Sequence, residues 1–283
     1  MKKRKYILNI LNAVIVLTAV IILSVALYPS VSDYVNALSQ TRTIAKYIDE
    51  VMSLNDDEAK ALLEEARAYN ESLRLKPDRF KFTAEETAEY KKLLNTGRGV
   101  IGILVVDKIG VKLPIYHGTD EAVLQVGVGH LHGSSLPVGG AGTHSIITGH
   151  TGLPSSTLLT NLDRLNEGDT FMLHVLGETL TYQVDQIRIV EPDKMQTLEI
   201  EKDMDYCTLV TCTPYGVNSH RLLVRGHRIE NAPNSNWEAI YADARRLDKL
   251  IVILIFMLPL IPVLLILIVM KCRKIKRRGN VCR

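Results

Sequence analysis

Long uncharged stretches stand out first in the pattern of apolar and polar residues along this chain. Residues 6–28 and residues 250–270 contain no charged side chain and are dominated by Leu, Ile and Val. A bilayer core requires about 20 apolar residues of helix, so each stretch is predicted to be a transmembrane helix. A cleaved signal peptide is the alternative for the first stretch. Its apolar core, however, exceeds the roughly 7–15 residues usual for a signal, and no small-x-small cleavage site follows it.

Helical periodicity is the second pattern. Apolar residues recur at helical spacing through residues 33–75. The run Asn-Asp-Asp-Glu at 55–58, with its acidic side chains, predicts the start of a second helix within this region. Residues 76–98 are polar and mixed, which predicts a connector with one short helix near 84–94. A further helix is predicted at residues 235–249, next to the second membrane span.

Short runs rich in Val, Ile, Thr and Tyr form the third pattern and predict β-strands punctuated by Gly, Pro, Asn and Asp. These runs cover residues 101–106, 111–116, 143–148, 170–175, 179–190, 207–211 and 222–229. Helical breaks are predicted near residues 120–124 and 156–165. Many short strands with few helices between them favour a closed barrel or a sandwich over residues 99–234.

The charge distribution predicts an orientation in the membrane. Four basic residues lie at positions 2–5 and seven follow residue 270, and neither tail holds an acidic residue. By the positive-inside rule both tails are cytoplasmic and residues 29–249 lie outside the cell membrane. The rest of the chain has 23 basic against 31 acidic residues, so a nucleic-acid partner is not expected. The basic tails are interpreted as topogenic segments that contact anionic lipid.

Four cysteines are divided between the two sides of this topology. Cys272 and Cys282 fall in the reducing compartment, which leaves Cys207 and Cys212 outside. These two lie five positions apart in one predicted strand, so their side chains face opposite ways and are poorly placed to form a disulfide. An unpaired extracytoplasmic cysteine is a candidate for chemistry.

Cys212 is the candidate nucleophile, with His150 and Arg221 as candidate partners. A reactive thiolate needs a proton acceptor, usually His, and a group that stabilises an oxyanion. His150 follows a predicted strand in a Gly- and Pro-rich loop, and Arg221 begins the strand after Cys212. A guanidinium stays protonated, so Arg221 can act only electrostatically. Spacing alone leaves three alternatives open: an inert buried thiol, a hydrogen-bonded loop histidine and a surface ion pair.

Motifs over nearly the whole chain resemble the sortase family, in particular class C, the pilin-polymerising branch. The similar segments are Thr-Leu-Val-Thr-Cys-Thr-Pro-Tyr-Gly at 208–216 with Asn218, Arg-Leu-Leu-Val-Arg-Gly at 221–226, Leu-Pro-Ile-Tyr-His-Gly-Thr at 113–119, and Leu-Pro-Val-Gly-Gly at 136–140 with His144 and His150. The resemblance implies a mainly β fold, an eight-stranded barrel with short helices, an N-terminal helical region and two transmembrane helices.

The same resemblance implies roles and partners. Cys212 would be the nucleophile, His150 the general acid/base and Arg221 the oxyanion or substrate-positioning group. The family cleaves an LPXTG-like sorting signal after its Thr and forms a thioester, which an amine resolves; in class C the amine is typically a pilin lysine. No cofactor and no metal is expected, although His130, His132, His144 and His150 lie close together in sequence and raise a zinc site as the alternative.

One family feature does not match. Many class C sortases carry a lid with an Asp-Pro-aromatic motif over the active site, whereas this chain has Pro77-Asp78-Arg79-Phe80. The segment at 72–84 is therefore expected to be a variant lid or no lid.

The sequence leaves other functions open. The first is a housekeeping-type sortase that anchors surface proteins to peptidoglycan; enzymes of this type usually lack a second span. The others are a non-catalytic pilus assembly or binding module, and a plain cysteine protease.

Overall fold

The computed structural model describes residues 2–194 and 198–231. The predicted helix at 235–249, the predicted span at 250–270 and the basic C-terminal tail lie outside these residues. The chain divides after Tyr34 into two compact units, of which the second, from Val35 onward, holds the strands.

Three helices precede the strands. Helix α1 runs without interruption over Lys2–Ser53, where the sequence predicts a span followed by a separate helical region. Helix α2 (Asp56–Arg74) begins at the predicted boundary, with Asn55 and Glu58 forming a reciprocal capping box. Helix α3 (Ala84–Tyr90) is the short helix predicted in the connector.

Part of α1 has the properties of a membrane anchor. Of the described residues, one helical stretch, Leu17–Ser53, is long and apolar enough to cross a membrane. Large apolar side chains such as Leu17, Ile22 and Val25 are more than half exposed, as lipid-facing side chains would be. This supports anchoring through the N-terminal helix.

Eight strands close into a barrel, which confirms the predicted mainly β fold. The strands are β1 Val100–Val106, β2 Val111–His117, β3 Val128–His130, β4 Thr143–Thr148, β5 Thr170–Val175, β6 Glu178–Val190, β7 Asp205–Thr213 and β8 His220–Ile229. Their order around the barrel is β1-β2-β3-β4-β7-β8-β6-β5. The β2–β3 and β4–β7 pairs are parallel and the others antiparallel. Strand β3 was not predicted, because three residues with a central glycine give no strand signal.

The core extends beyond the barrel interior to the second half of α1. All seven residues of β1 are buried, and Ile44, Tyr47 and Ile48 of α1 belong to the same buried cluster. The Tyr47 hydroxyl also accepts a hydrogen bond from the Leu176 amide at 3.1 Å. A strand buried on both faces requires cover outside the sheet, and α1 contributes to that cover.

A charged contact fastens β6, β7 and β8 together. Asp185 lies at a bulge in β6, between Val184 and Gln186, and accepts two hydrogen bonds from the Arg225 guanidinium of β8, each 3.0 Å long. The guanidinium also lies 4.1 Å from the ring centre of Tyr206 on β7. Bidentate pairing fixes geometry as well as charge, so this contact holds in place the two strands that carry Cys212 and Arg221.

Candidate active site

Strand register brings the three predicted site residues to one edge of the barrel. Cys212 on β7 and Arg221 on β8 are direct antiparallel partners. Side chains of direct partners lie on the same face of the sheet. Strand β4 runs parallel to β7, with Thr148 beside Val210, so both strands finish at the same end of the barrel. His150 lies two residues after the last residue of β4.

The backbone before His150 is held tightly. The Gly149 amide donates to the Val210 carbonyl at 3.0 Å, and the Thr211 hydroxyl donates to the Gly149 carbonyl at 2.8 Å. A β-carbon at position 149 would lie 2.9 Å from side-chain atoms of Leu159 and Val128. A glycine is therefore required there for the chain to approach the barrel and place His150.

A groove of about 320 Å³ contains all three residues. Its floor is largely apolar, and charged side chains enter from the connection after β6. Helix α4 (Glu121–Leu124) contributes Leu124 to the lining. The other lining residues include Thr119, the apolar Leu131, Ile146, Val190, Leu198, Val210 and Leu223, and Glu191, Pro192 and Lys194 on the β6–β7 connection. An apolar cleft with a few convergent polar groups is typical of a ligand site.

The two described cysteines differ sharply in environment. Both are free, but Cys207 is fully buried in the core and Cys212 is half-buried in the groove. Burial, with the nearby Asp205 carboxylate, raises the pKa of the Cys207 thiol far above its usual range. Cys207 is therefore an inert core thiol, and of the two only Cys212 meets the groove.

Arg221 is oriented by backbone carbonyls. Its Nη1 donates to the Asn218 carbonyl at 3.3 Å and to the His220 carbonyl at 3.1 Å. Within residues 2–194 and 198–231 no carboxylate forms an ion pair with this guanidinium. The alternative of a surface ion pair is therefore not found among the described residues, and Arg221 lines the groove.

His150 has a partner that the sequence did not predict. Its Nε2 lies 3.3 Å from Oε2 of Glu121, the first residue of helix α4 (Glu121–Leu124). The Gln125 amide donates to the other oxygen, Oε1, at 2.5 Å. This hydrogen bond, and to a smaller extent the one with His150, lowers the pKa of the Glu121 carboxyl. The predicted helical break near 120–124 is one clue to this segment, but no spacing links it to a histidine 29 positions later.

The other histidines of the suspected zinc group have structural partners. His130 is buried, its Nδ1 lies 2.7 Å from the Tyr90 hydroxyl, and burial lowers its pKa to about 3. His144 lies 2.7 Å from the Thr208 hydroxyl, and burial lowers its pKa to about 4. His132 stacks on the Tyr90 ring at 4.1 Å. These histidines make contacts within and between the connector and the strands. Among the described residues they do not form a cluster that could hold a metal ion.

The connector carries the segment that differs from the lid motif, and it contacts the groove from behind. Arg79 donates to the Gly133 carbonyl at 3.2 Å and also to the Leu198 carbonyl. Phe80 packs against the small buried cluster under the groove, which includes Leu198. None of the described residues at 72–84 lines the groove itself.

Comparisons with known proteins agree on one family. A model of the sortase domain matches residues 104–229. Sortase D of Bacillus subtilis (strain 168) is 29% identical over 131 residues, which cover 45% of this chain and 63% of that protein, so the match spans less than two thirds of this curated relative.

Solved structures match over a longer part of the chain. Sortase C1 from Streptococcus agalactiae is 49% identical, with a TM-score of 0.65, over 68% of this chain and 100% of that chain. Sortase C of Streptococcus pneumoniae, whose structure is described as informative on catalysis and pilin substrate specificity, is 44% identical with a TM-score of 0.62, over 68% and 99%.

Proposed function

This chain belongs to the sortase family, whose members are cysteine transpeptidases, and from that premise we propose that it is a membrane-anchored pilin polymerase. The observation that carries the proposal is the direct pairing of Cys212 with Arg221 in the groove that also holds His150. A non-catalytic assembly module would not need all three groups together.

The first half-reaction would use all three side chains. His150 takes the proton of the Cys212 thiol, and the resulting thiolate attacks the carbonyl carbon of the Thr in an LPXTG-like sorting signal. The Arg221 guanidinium stabilises the charge that develops on the carbonyl oxygen. The bond from Thr to the next residue breaks, and His150 gives a proton to the leaving amine. The product is a thioester between the substrate and Cys212.

The second half-reaction reverses these steps with a new amine. A pilin lysine attacks the thioester carbon, the bond to sulfur breaks, and His150 takes the proton from the incoming amine. One amide bond is lost and one is formed, and the thioester conserves enough free energy for the transfer to proceed without ATP. No cofactor or metal takes part in these steps.

Two features favour polymerisation over anchoring to peptidoglycan. The structure of the S. pneumoniae relative, at 44% identity, is described as giving insight into pilin substrate specificity. The uncharged stretch at 250–270, which lies outside the described residues, would add a second span, with both tails cytoplasmic and the barrel outside. Two anchors would hold the enzyme at the membrane where pilins emerge.

Incubation with a pilin that bears a sorting signal tests this function. We expect ladders of covalent oligomers on denaturing gels, with the Thr carbonyl joined to a lysine side chain as read by mass spectrometry. Cys212→Ala serves as the negative control. Absence of ladders, together with efficient transfer to a peptidoglycan-precursor amine, would contradict the polymerase and support a housekeeping-type sortase.

The connector acts as a fixed support behind the groove in this proposal. Arg79 bridges the loop after β3 and the β6–β7 connection, and Phe80 supports the apolar cluster under the groove. A gating lid would block the groove, so its removal would speed turnover, whereas loss of a support behind the groove would weaken substrate binding.

Phe80→Ala distinguishes the two roles by the direction of its effect. We expect KM for a sorting-signal peptide to rise about 2- to 5-fold, since removal of apolar support costs on the order of 1 kcal/mol at a partly buried site. The matched control is Phe82→Ala in the same connector, where the ring stacks on His132 instead. A faster rate for Phe80→Ala, or for deletion of residues 72–84, would establish a lid.

A further inference from the structure

We propose that Glu121 is a positioning residue of the reaction: its carboxylate orients the His150 imidazole and favours the protonated ring. This inference rests on the proposed acyl transfer in the groove and extends it to a residue that is not among the groove-lining residues. It also assigns the two ring nitrogens of His150 to different tasks.

Hydrogen-bond chemistry fixes those tasks. An ionised carboxylate can only accept a hydrogen bond, so the His150 Nε2 that lies 3.3 Å from Glu121 Oε2 must carry the proton. The other nitrogen, Nδ1, is then the one that exchanges a proton with the leaving and incoming amines. Holding one nitrogen fixes the tautomer and the ring orientation together.

Gln125 fixes the carboxylate in turn. It lies four residues after Glu121, and its amide donates to Oε1 at 2.5 Å, which leaves Oε2 for the imidazole. Side chains four apart on a helical turn are neighbours. Leu124 from the same turn lines the groove, so the segment that supplies the carboxylate also forms one wall of the site.

Other titratable and charged groups line the same groove as His150. Cys212 comes from β7, Arg221 from β8, and Glu191 and Lys194 from the β6–β7 connection, where they pair with each other at 3.2 Å. Because a cation disfavours a protonated imidazole, Arg221 opposes the charge that His150 needs as an acid. The Glu121 carboxylate, 3.3 Å from the ring, offsets this effect.

The expected effect is moderate because the pair is only partly shielded. The Glu121 side chain is 70% exposed and that of His150 25% exposed. Exposed ion pairs are weak, so we expect Glu121→Gln to lower kcat/KM about 3- to 5-fold. The loss should be larger at alkaline pH than at acid pH, since the amide of the variant offers no negative charge to the imidazolium.

The test uses the full chain in detergent with two independent readouts. One is the pH profile of kcat/KM for cleavage of a sorting-signal peptide, and the other is the pH dependence of Cys212 alkylation by iodoacetamide, which needs no substrate. Gln125→Ala should produce part of the Glu121→Gln effect. The matched control is Asp120→Asn, which removes an exposed acid one residue away that makes no side-chain capping bond.

The outcomes separate this inference from the proposed function. Wild-type profiles for Glu121→Gln in both assays would overturn the positioning role, as would an equal loss at every pH accompanied by a lower melting temperature. Failure of the wild-type chain to cleave any sorting-signal peptide would instead overturn the function. A shifted alkylation profile would in that case still support the Glu121–His150 contact.

Discussion

Cys212→Ala is expected to abolish acyl-enzyme formation, with a fall in peptide cleavage of about 10⁴-fold or more, as for other covalent nucleophiles. The reason is that no other thiol of the described residues meets the groove, because Cys207 is fully buried. The measurement is intact-protein mass spectrometry after incubation with a sorting-signal peptide, which reports the thioester directly.

Cys207→Ala is the matched control on the same strand. It removes a sulfur from the core, so we expect a lower melting temperature with the acylation rate nearly unchanged. An acyl adduct that persists in Cys212→Ala, or disappears in a folded Cys207→Ala, would show that the nucleophile is assigned to the wrong cysteine.

Arg221→Ala is expected to lower kcat about 10²- to 10³-fold, the usual effect of losing one oxyanion donor. Its guanidinium faces the groove from the position directly opposite Cys212 and has no carboxylate partner among the described residues. The way the loss divides between kcat and KM distinguishes two tasks: stabilising the oxyanion lowers kcat, whereas holding the substrate raises KM.

Arg221→Lys and Arg188→Ala complete this experiment. Lysine keeps the charge but not the planar fork, so it should restore only part of the rate. Arg188 is an exposed arginine on β6 outside the groove lining, and its loss should change kcat less than 2-fold. A rate for Arg221→Ala within a few-fold of wild type would exclude a role in charge stabilisation.

Local patterns predict most of the barrel but not all of it. Seven strands show as runs of β-branched and aromatic residues, and each appears within a few residues of its expected position. Strand β3 could not be predicted locally, because Gly129 and its two neighbours form a strand through long-range pairing with β2 and β4. The family resemblance supplied the count of eight.

Hydrophobic periodicity also did not predict that α1 is one continuous helix. The change from an apolar to an amphipathic pattern after residue 28 suggests two segments, yet the helix runs through it to Ser53. The start of α2 was predictable because Asn55 and Glu58 form a capping box, which depends on neighbouring residues alone.

The site, too, has residues that the sequence predicted and one that it did not. Cys212, His150 and Arg221 were selected by motif resemblance, and the barrel places them in one groove. Glu121 was missed because its contact with His150 joins helix α4 to the loop after β4, two segments far apart in sequence. Residue spacing encodes neighbours along a strand or helix, whereas such a contact depends on how α4 packs beside the end of β4.

The parallel pairing of β4 with β7 bears on when the enzyme becomes active during folding. Cys212 and Arg221 are nine positions apart on adjacent strands, a local pairing that forms readily, whereas His150 is 62 positions from Cys212 and reaches it only through the β4–β7 ladder. Long-range pairings bear a larger loop-closure entropy and slow folding. We therefore expect the Cys212–Arg221 pair to form before His150 joins it, so that the three side chains meet in one groove only when the barrel has closed.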